Sequence, residues 1–142
     1  MSHVATVKTE VTDLAAVKAL CKEMGWTFKE NQKTYRWYGT SVGDYPLPAG
    51  MKKEDLGKCA HAIEVPGARY DIGLVKSAKG YILAYDFWGP GQRLKEVIGE
   101  NGGKFLQGYG IAKATIMAKK KGYMVYRSTL PNGTVRLRVS GV

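Results

Sequence analysis

Acidic side chains are scarce in this chain. Twelve Asp and Glu stand against 22 Lys and Arg over 142 residues, leaving a net charge of +10 at pH 7. That balance disfavours cationic partners and selects polyanions: nucleic acid, an acidic protein surface or an anionic membrane. Cysteine is scarce too. Cys21 and Cys59 alone cannot build the disulfide framework of a small secreted domain, and they suit reduced thiols. Histidine is limited to His3 and His61. Cys59-Ala60-His61 offers two metal ligands, but a zinc site takes four protein groups, or three and a water; no second cluster is present, so neither metal nor cofactor is expected. No apolar run approaches the roughly 18 residues of a membrane span, and the N-terminal stretch lacks the basic segment and apolar core of a signal peptide. The expectation is a cytoplasmic protein with no membrane partner, folded as a single domain over residues 1–142.

The positive charge is unevenly placed. Residues 90–142 hold ten Lys or Arg and two acids, an excess of +8, and the remaining 89 residues contribute +2. A field so concentrated speeds encounter with polyanions and does nothing to specify a fold. The competing reading is a solvated, solubility-enhancing surface.

Residues 4–10 alternate as a strand. Thr12 or Asp13 then caps a helix whose face is Leu14, Val17, Leu20, Cys21 and Met24, and Gly25 stops it. Residues 26–28 and 34–38 read as a hairpin with Asn31-Gln32 in its turn, and 39–58 as a long loop. Residues 59–65 form a strand, and 68–75 with 81–88 a hairpin across Ser77-Ala78-Lys79-Gly80; apolar residues on both faces of 81–87 predict a central strand. Pro90 opens a short helix bearing Leu94, Val97 and Ile98 that Gly99 ends, and a longer helix follows over 103–121 with Phe105, Tyr109, Ala112 and Ile116 on one face. Lys119, Lys120 and Lys121 fall in its last turn, where cations also complement the helix dipole.

Asn132-Gly133 predicts a two-residue hairpin turn with both residues at positive φ. In that register Arg127 opposes Arg138 and Thr129 opposes Arg136, so one face is apolar and the other presents Arg127, Arg136 and Arg138 together. Like charges so placed call for an anionic partner or for neutralising acids nearby.

Two resemblances follow from these residues. Met1-Ser2-His3 with Thr6, Thr9, Asp13, Ala19-Leu20 and Gly25-Trp26, then Tyr70-Asp71-Ile72-Gly73, Asp86-Phe87-Trp88-Gly89, Tyr109 with Ala112 and Lys113, Lys121-Gly122-Tyr123 and Asn132-Gly133-Thr134-Val135 together resemble an uncharacterised family of plastid genomes, cyanobacteria and phages, chloroplast hypothetical reading frame thirty-five. The resemblance implies a fold rather than an activity, and a setting in a plastid stroma or a phage-infected cell besides a bacterial cytoplasm. In some bacterial members the gene lies near one for a hexameric AAA-type ATPase, which implies an adaptor or substrate role. The chain departs from that family over 99–104 and in the lysines that follow. There Val97-Ile98-Gly99-Glu100-Asn101-Gly102-Gly103-Lys104-Phe105 is similar to the signature of the KH class of RNA-binding domain, whose Gly-x-x-Gly loop joins two helices and clamps the nucleic-acid backbone. Glu100 stands where a cation is expected, and such turns also arise simply between helices.

No catalytic set can be assembled. Neither His3 nor His61 lies in a nucleophile motif. Asp71 and Asp86 fall on adjacent strands as a potential carboxylate pair, or serve structure, Asp86 at the exit to Gly89 and Asp71 on a neighbouring tyrosine. Tyr35, Trp37 and Tyr38 among Lys33 and Arg36 suit base stacking, or a half-buried sheet edge. The overall expectation is an α+β fold: an antiparallel sheet of six to eight strands, three helices mainly on one face, and a C-terminal half KH-like in element order. Its expected function is non-enzymatic binding of RNA or DNA backbone through Gly99, Gly102, Lys104, Lys113, Lys119, Lys120, Lys121, Arg127, Arg136 and Arg138. The alternative is a protein-interaction role, as partner of an AAA-type ATPase or as a phage assembly component with an acidic partner.

Overall fold

The computed structural model describes residues 3–40, 43 and 45–141; Met1 and Ser2 of the family-like opening and residues 41, 42 and 44 of the long loop lie outside them. The fold is α+β. Five antiparallel strands, β1 (Val4–Val11), β2 (Thr27–Lys29), β3 (His61–Glu64), β4 (Ile72–Lys76) and β5 (Tyr81–Asp86), form one sheet in the order β1-β5-β4-β3-β2. Two long helices, α1 (Leu14–Met24) and α3 (Gly103–Lys120), and the two-turn α2 (Gln92–Ile98) complete the body. β6 (Met124–Thr129) and β7 (Val135–Ser140) pair only with each other.

Strand alternation divides the sheet into two unlike faces. Val7, Ile63, Ile72, Leu74, Leu83 and Tyr85 point to one side and build the main core with Val17 and Leu20 of α1, Leu94 and Ile98 of α2, and Phe105 and Tyr109 of α3. The middle of the opposite side carries only small side chains. Ala62, Gly73 and Ala84 are cross-strand neighbours in register, and the ring of Tyr35 lies on them, 2% exposed. A Cβ on Gly73 would sit 2.4 Å from Tyr35 Cδ1. Trp37, Met51, Cys59 and Val75 extend this smaller core, so β5 is covered on both faces.

Two buried carboxylates hold the crossing segment down. Asp71 and Asp86 are each 0% exposed. Asp71 accepts the Arg36 amide at 2.9 Å and its guanidinium Nη2 at 2.8 Å and Nε at 3.0 Å. Its partner is therefore an arginine, not the tyrosine expected from its position. Asp86 accepts the amides of His3, Trp88 and Tyr38 at 3.1, 3.0 and 3.1 Å. Each oxygen is thus occupied by bonds that hold the fold.

Local signals place α1 well: Asp13 accepts the Ala16 amide as N-cap, and Gly25 closes the helix in the left-handed conformation at φ 75°. Two expectations are corrected. Residues 26–28 and 34–38 do not pair, because β2 joins β3 instead, while Thr34 makes a lone bridge to Lys58. The sheet stops at five strands, short of six to eight, because the C-terminal hairpin rests over the helices rather than on either outer strand.

Gly73→Ala is expected to lower stability by about 1–3 kcal/mol, the usual cost of overpacking a filled site. Urea denaturation checks this, and an unchanged midpoint would mean that Tyr35 does not need the row of small residues.

Candidate nucleic-acid interface

The turn of the C-terminal hairpin decides which arginines share a face. Leu130 donates to the Thr134 carbonyl at 2.8 Å and Gly133 donates to the Leu130 carbonyl at 2.9 Å, so the loop holds three residues, Pro131, Asn132 and Gly133. Among the turn residues only Gly133 has positive φ, at 86°, which corrects the two-residue turn. Pro131 is pre-set for the first position of a type I turn, and a left-handed residue then closes a three-residue loop. Asn132 Oδ1 accepts the Thr134 amide at 3.0 Å.

The register moves by one residue, pairing Ser128 with Arg136, Arg127 with Leu137 and Tyr126 with Arg138. A one-residue slip changes which side chains lie together. Arg136 and Arg138 share the outer face with Tyr126 and Ser128, and the Arg138 guanidinium sits 4.8 Å from the Tyr126 ring centre. Arg127 leaves that group: it lies on the inner face with Val125, Val135 and Leu137 and forms an ion pair with Glu23 of α1. The single face of three arginines is not formed. No described residue of β6 or β7 is buried, and Met124 and Tyr126 are 54% and 43% exposed.

The lysines divide in the same way. Lys119 and Lys120 are exposed in the last turn of α3 and Lys121 is its C-cap, three residues before β6 begins. Lys113 is half-buried beside Tyr109. The Tyr109 hydroxyl accepts the amides of Thr12 and Asp13, each at 3.0 Å, at the start of α1. Burial would raise its pKa, but these hydrogen bonds and Lys113 outweigh it and leave the phenol below its ordinary value. Sequence periodicity identified Tyr109 as a core residue and missed this capping role, since nothing local links it to residues 97 and 96 positions earlier. Lys104 donates to the Glu96 carbonyl at 3.3 Å and so serves the end of α2.

The Gly-x-x-Gly turn is built for packing. Gly99 and Gly102 are buried. A Cβ on Gly102, at φ +73°, would meet Val7 Cγ2 at 2.6 Å, and one on Gly99, at φ +80°, would meet the Lys104 amide nitrogen at 2.9 Å. The Gly99 amide donates to Lys95, that of Gly102 to Gly99 and that of Gly103 to Glu100. Three of the donors that a phosphate clamp needs are therefore used internally.

The aromatic segment is also structural. Tyr35 is buried on the sheet, a Cβ on Gly57 would strike the Trp37 ring at 2.3 Å, and Arg36 is tied to Asp71, leaving Tyr38 exposed. Burial pushes the Cys21 thiol up to about 12 and the Cys59 thiol to about 11, so both stay protonated near neutrality. Cys59 donates to the Gln32 carbonyl and His61 Nδ1 accepts the Asn31 amide at 2.9 Å. Among the described residues no three His, Cys, Asp or Glu are grouped to hold a metal ion, and no helix is long and apolar enough to cross a membrane. Comparison with known proteins returns no matching family model, curated protein or solved structure.

Two measurements check these assignments. Gly102→Asp is expected to lower thermal stability measurably, since the added side chain meets Val7 on a strained backbone; a variant melting like the parent would free the turn for a ligand. Burial lowers the His61 pKa, Lys33 and Lys18 adding to the effect and Glu30 opposing it. The unfolded chain takes up this proton near pH ~6.5 while the folded state resists it. Stability is therefore present above that value and lost as pH falls towards the folded-state pKa. Urea midpoints should decline as the pH falls below roughly 6.5, with a flatter profile in His61→Asn.

Proposed function

We propose that this protein is a non-enzymatic module that binds the backbone of RNA or DNA through the outer face of its C-terminal hairpin. Arg136 and Arg138 supply the principal contacts, and Lys119, Lys120 and Lys121 at the end of α3 extend the field. Lys113 adds charge without direct contact. Arg127, Lys104, Gly99 and Gly102 fall outside the interface because each is engaged in holding the fold. The element order β5, α2, turn, α3, β6, β7 keeps a likeness to the KH arrangement, but the proposal places no phosphate at its turn.

One observation carries the reading: Arg136 and Arg138 lie side by side with Tyr126, and among the described residues neither is paired with an acid. Two neighbouring guanidinium groups repel. They stand on a two-stranded sheet without a buried residue, an element with little stability of its own. An anionic partner relieves the repulsion, and the planar guanidinium fork fits phosphate oxygens. Tyr126 adds a ring on which a base can stack.

Fluorescence anisotropy with labelled RNA and DNA, titrated from roughly 50 to 200 mM salt, tests this. Affinity should fall steeply with salt. The double variant Arg136→Gln/Arg138→Gln should bind more weakly and reduce the log–log salt slope by about 1.4–1.8, the share of two phosphate contacts. No binding at low salt, or an unchanged slope in the variant, overturns the proposal. Equal binding to polyglutamate transfers the surface to an acidic protein partner.

A further inference from the structure

A cleft of about 650 Å³ lies between the end of β5, α2 and the turn that follows α2, a volume within the range of about 300–1,000 Å³ that small ligands occupy. Part of its lining is aromatic. Tyr45 meets Phe87 edge-on with ring centres 5.2 Å apart, and the centres of Tyr85 and Phe87 are 6.4 Å apart. The rest is polar, with Gln92, Lys95 and Glu96 from α2 and Glu100 and Asn101 from the turn. Lys95 holds its ammonium 5.2 Å from the Phe87 ring centre.

Some of these groups are already used and others are open. Glu96 faces Arg93 at 3.7 Å, and its carbonyl accepts Lys104. Among the described residues the side chains of Gln92, Glu100 and Asn101 have no hydrogen bond or ion pair. An apolar occupant would cover these three without replacing their water. A cation would meet Lys95 and Lys104, and a bare anion would meet Glu96 and Glu100. The lining therefore selects a neutral planar ring that stacks and carries N–H donors for a carboxylate and an acceptor for an amide. Guanine has that edge: N1–H and the 2-amino group point side by side and match the two carboxylate oxygens, and O6 stands next to them. Adenine sets an acceptor at the same place, which Glu100 repels.

We infer that this cleft binds a guanine mononucleotide. The base stacks against the aromatic wall, Glu100 accepts from N1–H and the 2-amino group, and Asn101 donates to O6. Lys95 exchanges the Phe87 ring for the phosphate. Glu100 thereby has a use at the turn position where a phosphate clamp would carry a cation. None of these residues belongs to the hairpin, and the inference stands independently of nucleic-acid binding on its outer face.

Isothermal titration calorimetry of the full chain with guanosine monophosphate, adenosine monophosphate and guanosine tests the inference. The expected result is saturable one-to-one binding of guanosine monophosphate. Adenosine monophosphate should bind about tenfold more weakly because it leaves Glu100 unmatched, and guanosine about tenfold more weakly because it lacks the contact with Lys95. Glu100→Gln alters an exposed side chain and should bring the two nucleotides within about threefold of each other, a change in selectivity that a loss of stability does not produce. Tyr45→Ala should weaken binding about tenfold, and a melting curve establishes that this variant is folded. Arg136→Gln/Arg138→Gln should bind the nucleotide like the parent, whatever its effect on RNA or DNA. Absence of saturable binding, equal affinity for the adenine nucleotide or for guanosine, full selectivity in Glu100→Gln, or loss of the nucleotide in the arginine double variant each overturns the inference.

Discussion

The approach of the Tyr35 ring to the backbone of Gly73 is the constraint on which the arrangement of this protein rests. Ala62, Gly73 and Ala84 form a shallow trough across three strands, and an aromatic ring can lie in it only because the middle residue has no side chain. Once the ring is seated, the chain from residue 35 to 38 must cross the sheet. Its backbone groups would then be buried without strand partners, a cost of roughly 1–3 kcal/mol for each one left unpaired. Asp71 and Asp86 remove that cost.

The same carboxylates join parts of the chain that are distant in sequence. Asp86 gathers the amides of His3, Tyr38 and Trp88 around one side chain, tying together the entry to the first strand, the crossing segment and the exit from β5. Asp71 and Arg36 are also joined through the backbone, the Asp71 amide donating to the Arg36 carbonyl at 3.0 Å. The helical side of the sheet depends on apolar burial, the opposite side on polar anchoring over small residues. The buried carboxylates of the sheet are already engaged by the crossing segment, and Arg136 and Arg138 stand on the hairpin away from them.

Much of this was legible in the sequence wherever the determining signal is local. Asp13 and Gly25 mark the ends of α1, and Leu94 and Ile98 mark the face of α2. The β4–β5 hairpin turns at Ser77 and Gly80 as expected, with Ser77 donating to the Gly80 carbonyl. Other features depend on contacts between distant residues and were not legible. β2 has too few residues to specify a partner by pattern, and nothing in residues 26–38 indicates that β3 will take it. At the C-terminal turn two local signals compete: Asn-Gly favours a two-residue loop, while Pro131 favours a type I turn one residue longer. The difference of one residue separates Arg127 from Arg136 and Arg138. The small-residue row was invisible for another reason, since Ala and Gly carry no periodic signal and matter only through what lies above them. The glycines of the Gly-x-x-Gly turn were visible as a motif, but their use as a close-packing contact with Val7 was not.

The hairpin of β6 and β7 has a bearing on cooperativity. Among the described residues its backbone ladder is confined to its own two strands, and its attachment to the body consists of half-buried side chains and one solvent-accessible ion pair. A segment so joined can open and reclose while the five-stranded sheet stays intact, as a unit of local rather than global unfolding. The arm and the body thus have separate thermodynamic lives.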